Sequence, residues 1–224
     1  MTFRSIWAGA VGLTFLAVVL PPKTANAQDA PTFECTLVIG YSQVREWYET
    51  GGVFESIVDD ARWESKTPGG AGVDVWADPY EERWEAPMYS PCTTGSPTQP
   101  DRIVLGVSGP FGNDERVWAD TIRDALALIA ERIPSAERFE LIPVAGGPEH
   151  GDCEFDGERV RASWQHEHID NAIGMVVASD KTGTIVAGPS PHVETCSDYR
   201  DALGHLTPEA AERIGAEIAS YYGR

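Results

Sequence analysis

Short, unbroken apolar runs alternate with longer stretches of helical period from one end of this chain to the other, and few architectures accept that order. Thr36–Gly40 (TLVIG), Ile103–Val107 (IVLGV), Phe139–Val144 and Thr184–Ala187 are too short for helices and read as buried strands. Between them, Ser42–Thr50, Val117–Ile133, Trp164–Ala178 and Thr207–Tyr222 space their apolar residues at helical intervals, and Phe54–Val58 reads as a further short helix. The last helix has Thr207 as N-cap, Pro208 at the first position and Glu209 in the first turn. Strand and helix in alternation predict an α/β fold, a parallel sheet with helices on both faces, in one domain from residue 28 to residue 224. Residues 63–73, with Pro68-Gly69-Gly70-Ala71-Gly72, read as a loop, and residues 78–101 as a long proline-bearing surface excursion.

A different segment precedes this pattern. Arg4 supplies a positive start, Ile6–Leu20 is apolar and uncharged, and Ala25-Asn26-Ala27 fits a small-x-small cleavage site. These residues predict a bacterial-style signal peptide cleaved after Ala27, with a secreted or periplasmic product. A membrane anchor is the rival, but the run falls short of the roughly 20 residues a span needs. No later run is long enough, so stable membrane insertion is not expected.

The whole chain of 224 residues carries a formal net charge of −18, and its 17 Lys and Arg form no run. Nucleic acid and anionic lipid surfaces are therefore poor partners. In an oxidising compartment, Cys35, Cys92, Cys153 and Cys196 predict two disulfides. Topology selects among the three pairings. Cys35 precedes the first strand, and Cys92 lies in an excursion that must return to that same amino edge of the sheet. Cys153 and Cys196 follow two strands and belong to its carboxyl edge. A five-residue strand is roughly 17 Å long and bridged Cα atoms lie within about 7 Å. The expected bridges are thus Cys35–Cys92 and Cys153–Cys196.

In open α/β sheets ligands gather at the carboxyl ends of the strands. Here those ends are 40–42, 109–113, 145–149 and 188–192. Ser42 leaves the first strand at the head of a helix, where its N–H and the helix dipole favour a developing negative charge. His205, near Asp198 and Asp201 before the last helix, is the base such a nucleophile needs. No G-x-S-x-G elbow, P-loop or dinucleotide fingerprint occurs. His166-Glu167-His168, with His150 or Asp152, could suggest a metal, but residues i and i+2 on a helix point apart, so neither metal nor cofactor is expected.

Four blocks together resemble the SGNH, or GDSL-like, hydrolases. They are VIGYSQ (38–43), GGAG (69–72), VSGPFGND (107–114) and DALGHLTPEAAERIGAEIASYY (201–222). The resemblance implies a three-layer, flavodoxin-like sandwich and an esterase or lipase activity. It makes Ser42 the nucleophile, His205 the base and Asp201 its partner. The oxyanion hole would comprise the N–H groups of Ser42 and of Gly72 or Gly70, and the Asn113 side chain. Tyr41 stands where the family has Asp. Asp201 lies four residues before His205 instead of three, so the loop must bulge by one residue or Asp198 must serve. The expected substrate is a small ester or an acylated carbohydrate, and the expected state is a monomer. The alternative is a binding protein on the same fold, its site degraded, that holds carbohydrate or cell wall through surface aromatics.

Overall fold

The computed structural model of the protein describes residues 32–94, 99–148 and 151–223. The expected leader, residues 1–27, and His150 lie outside them. Five strands, β1 (Thr36–Ile39), β2 (Trp63–Lys66), β3 (Arg102–Val107), β4 (Arg138–Pro143) and, late in the chain, β7 (Ile185–Ala187), form one parallel sheet. A separate two-residue hairpin pairs β5 (Glu154–Phe155) with β6 (Glu158–Arg159). The sheet order is β2-β1-β3-β4-β7, and every neighbouring pair is parallel. This is the doubly wound 2-1-3-4-5 order, whose direction reverses between β1 and β3.

Among the described residues, six helices cover the faces: α1 (Ser42–Glu49), α2 (Val53–Ile57), α3 (Val73–Trp76), α4 (Glu115–Arg132), α5 (Arg161–Ser179) and α6 (Pro208–Tyr222). Helices α1, α2 and α6 pack together as one layer, and α3, α4 and α5 as the other. Between them, Leu37, Ile39, Ile103, Leu105 and Leu141 are fully buried. Such strands bury both faces, which is why they read as unbroken apolar runs and not as alternation. Gly215 of α6 lets that helix reach α1, since a Cβ there would lie 2.4 Å from Trp47 O. Residues 33–224 cluster as one compact unit. No helix among the described residues is long and apolar enough to cross a membrane.

One strand contradicts its reading as a loop. Trp-Glu-Ser-Lys at 63–66 has no apolar run, yet it pairs with β1 and all four residues are buried. The covering comes from the excursion, which lies over the outer edge of β2. Ser65 and Tyr89 exchange backbone hydrogen bonds of 3.0 and 2.8 Å. Glu64 Oε2 accepts from Cys92 N at 3.0 Å, and Lys66 Nζ donates to Trp84 O at 2.8 Å. The Glu64 and Lys66 side chains bond the excursion's backbone, which offsets part of the cost of burying a polar strand; Glu64 Oε1 and Ser65 Oγ are buried with no partner among the described residues. The edge is covered by the same means.

Both disulfides form as the sheet edges require. Cys35–Cys92 has a Cα separation of 5.9 Å and Cys153–Cys196 one of 5.3 Å.

Candidate active site

Two residues, Gly40 and Tyr41, separate β1 from helix α1, and Ser42 is the first residue of that helix. The N-cap is Tyr41, in extended conformation, with no side-chain cap. The Ser42 hydroxyl is therefore not spent on capping. It donates to His205 Nε2 at 2.7 Å. His205 Nδ1–H donates in turn to Asp201 Oδ2 at 2.5 Å. The carboxylate fixes the tautomer that leaves Nε2 able to accept.

The loop that carries this pair is a tight hairpin. Tyr199 and Leu206 form an antiparallel bridge, and Arg200 N donates to His205 O at 2.8 Å. Inside it, Asp201 Oδ1 accepts from the N–H groups of Leu203, Gly204 and His205 at 2.9, 3.1 and 3.2 Å. Burial pushes the Asp201 carboxyl upward, but the hydrogen bonds from the His205 ring and the backbone outweigh it and hold the group below the usual aspartate value. The extra residue between Asp201 and His205 is absorbed at Gly204, whose φ is +97°. A Cβ there would lie 2.3 Å from the Ala162 Cβ, so only glycine fits. Asp198 is elsewhere. It accepts from Glu194 N, Thr195 N and the Arg213 guanidinium, and holds the turn before the hairpin.

Helix α1 also clamps this hairpin. Gln43 Nε2 donates to Gly204 O at 2.7 Å, and Gln43 Oε1 accepts from Ala145 N at 2.7 Å. The Tyr41 hydroxyl donates to the same oxygen at 3.2 Å. Burial, then the neighbouring Tyr199 and Glu46, keeps the Tyr41 phenol well above its ordinary pKa, so it stays a donor. One turn on from Ser42, Glu46 Oε2 accepts from Leu206 N at 2.8 Å, and its Oε1 accepts from Arg200 at 2.5 Å. Burial raises the Glu46 pKa, and the Leu206 and Arg200 contacts counter it in part. Glu46 and Gln43 carry no sequence signature of this duty; only their places on the Ser42 helix hint at it.

Ser42 and His205 open onto a cleft of about 530 Å³, a size typical of small-ligand sites. It lies at the carboxyl ends of β1 and β3, the switch point of the sheet. Gly70 and Gly72 line it, with Ser108 and Gly109. A Cβ on Gly72 would fall 2.9 Å from Ser108 O, and the Gly72 N–H makes a 3.2 Å turn contact to Gly70 O. Asn113 does not reach the cleft. It is exposed in the turn before α4, where Asp114 caps the helix by accepting from Arg116 N and Val117 N. The carboxamide that does line the cleft, besides Gln43, is Gln165 of α5, which is buried and donates to Gly109 O at 3.3 Å. Sequence spacing had no means of finding it, because its approach depends on where α5 begins.

The histidine cluster of α5 faces elsewhere. His166 Nδ1–H donates to Val144 O at 2.7 Å, and its ring packs 4.2 Å from that of His192. His168 turns away to Glu115 at 3.3 Å. Among the described residues, the one set of three possible metal-ligating groups within reach of one another is Cys35, Cys92 and Glu64. Its two sulfurs are joined in a disulfide, so it offers no thiolate. Five tryptophans, Trp47, Trp63, Trp76, Trp84 and Trp118, are core residues and build no surface platform.

Neither the models of known protein families nor the curated proteins contain a match to this chain.

Proposed function

We propose that the protein is a secreted serine hydrolase that cleaves a carboxylic ester through an acyl-enzyme. The observation that carries the reading is the Ser42–His205–Asp201 chain, with hydrogen bonds of 2.7 and 2.5 Å, at the mouth of a cleft on the sheet's switch point. Ser42 Oγ attacks the ester carbonyl as its proton passes to His205 Nε2. Asp201 steadies the imidazolium. The tetrahedral oxyanion collapses, the alcohol leaves with the proton from His205, and an acyl-Ser42 remains. Water, deprotonated by His205, then releases the acid.

For the oxyanion, the N–H groups of Ser42 and Gly72 are the backbone donors. The Gly72 contact to Gly70 O is long enough to be exchanged for a charged acceptor. Gln165 takes the side-chain role that the sequence suggested for Asn113. The four sequence blocks that resemble the SGNH hydrolases support the same chemistry. The two disulfides are compatible with an oxidising compartment and so with export.

Labelling with a fluorophosphonate, which reacts with an activated serine, tests the reading. The expected result is stoichiometric modification of Ser42, blocked by phenylmethylsulfonyl fluoride and lost in Ser42→Ala along with p-nitrophenyl butyrate hydrolysis. An unlabelled wild-type protein would overturn it.

A further inference from the structure

The cleft differs in charge from the molecule that contains it. Two arginines, Arg45 and Arg161, line it, against one carboxylate of the same lining, Asp74. The chain as a whole has a formal charge of −18. Both arginines are exposed, and among the described residues neither guanidinium has a hydrogen-bonding or ion-pairing partner. Glu49, one turn beyond Arg45 on α1, feels its charge, but its carboxylate accepts from Thr67 at 3.4 Å. Most other arginines of the fold, Arg62, Arg102, Arg138 and Arg213 among them, are paired with carboxylates. In a chain with twice as many acids as bases, two unpaired guanidiniums in one concave site stand apart.

Their placement adds to this. Arg45 is three residues from Ser42 on the same helix, so their Cβ atoms are about 5–6 Å apart. Arg161 is the first residue of α5. Both α1 and α5 therefore begin at the cleft and turn their positive ends toward it. A guanidinium offers a fixed fork of donors that matches a planar or tetrahedral anion. The acidic remainder of the surface repels anions, so an anion is accepted only where such groups are concentrated.

We infer that the substrate is an ester bearing an anionic group close to the scissile bond, received by Arg45 and Arg161. This deepens, and rests on, the serine-hydrolase reading of the same cleft. The short span from Ser42 to Arg45 places the anion within a few bonds of the carbonyl. The fitting substrates are short: a half-ester of a dicarboxylic acid, or an ester of an alcohol that carries the acid.

Two substrate pairs test it. The acyl side is read with the p-nitrophenyl monoester of glutaric acid against p-nitrophenyl pentanoate. The alcohol side is read with 4-acetoxybenzoate against 4-methylphenyl acetate. In at least one pair the anionic ester is expected to have a kcat/KM about tenfold or more above its neutral partner. Arg45→Gln and Arg161→Gln should each reduce that ratio severalfold, mainly through KM, while Arg123→Gln on α4 leaves it alone. Ratios near or below one in both pairs, or ratios that ignore both cleft substitutions, overturn the inference. If no ester of either kind is hydrolysed, the hydrolase reading fails and binding decides the anion site separately. Glutarate should then raise the melting temperature of the Ser42→Ala protein saturably, with an effect absent when Arg45→Gln and Arg161→Gln are added. No shift would sink the anion site as well.

Discussion

Asp201 makes hydrogen bonds through both carboxylate oxygens. One receives the His205 ring, and the other gathers three backbone N–H groups of the loop. Its pKa lies below the ordinary value of 3.8, so the anion is present above that value and is lost only as pH falls through the lowered one. Asp201→Asn should therefore lower kcat of ester hydrolysis by orders of magnitude, about 10⁴ in the template triad. Raising the pH from 6 to 9 should not restore it; a kcat within tenfold of the parent would reject Asp201 as the orienting acid. The proposed oxyanion donors allow a sharper test. Gln165→Ala should reduce kcat by about 10²–10³, the usual loss for one such donor, whereas Asn113→Ala should stay within twofold. Steady-state kinetics with p-nitrophenyl butyrate read both, and the reverse order would return the role to Asn113. That Ser42, His205 and an aspartate lie together was legible in the sequence because each adjoins the end of an element. The choice of Asp201 was not, since it depends on Gly204 taking a left-handed conformation against Ala162. The place of Asn113 off the cleft was not legible, because its block matches in order while Asp114 turns the chain into α4 beside it.

At the level of elements, four strands and the long helices were legible because burial on both faces, or on one stripe, leaves a period in the sequence. Strand β2 was not, because its polar residues are buried by an excursion that nothing local announces. The disulfides were legible through the sheet edges alone, and the second has a consequence for the site. Cys153–Cys196 joins the segment after β4 to the turn that Asp198 holds, two residues before Arg200 enters the His205 hairpin. It closes a sequence separation of 43 residues, and removing such a bridge costs about 2–4 kcal/mol. The double variant Cys153→Ala, Cys196→Ala should lower the urea midpoint correspondingly and slow hydrolysis at temperatures where the fold persists. The sheet should survive, since α1 still grips the hairpin through Gln43 and Glu46. Equal activity per folded molecule would mean that the grip from α1 is sufficient by itself.

Over the whole molecule, the charge of −18 is legible in the composition, but its effect on stability depends on which acids are buried. Glu46, Glu49 and Glu64 all have pKa values raised above 4.5, in each case first by burial. A raised folded pKa means that the native state holds the proton more tightly than the unfolded chain. The resulting stabilisation is full below 4.5 and is lost as pH rises through the raised values. Self-repulsion of the surface carboxylates acts in the same direction. Opposing them, Asp201, Glu115 and Asp180 have lowered values, that of Asp180 about 2 through the Thr182 hydroxyl and nearby N–H groups. Their contribution is lost only below the ordinary carboxylate range. The melting temperature should therefore rise as pH is lowered from about 8 to about 5, and fall again below about 4. Salt separates the two causes. At 0.5 M NaCl the surface repulsion is screened and the rise should shrink, while the part due to the buried glutamates persists. Thermal melts across this range at low and high salt give the answer, and a melting temperature highest at pH 8 would show that the buried glutamates are ionised at no cost to the fold.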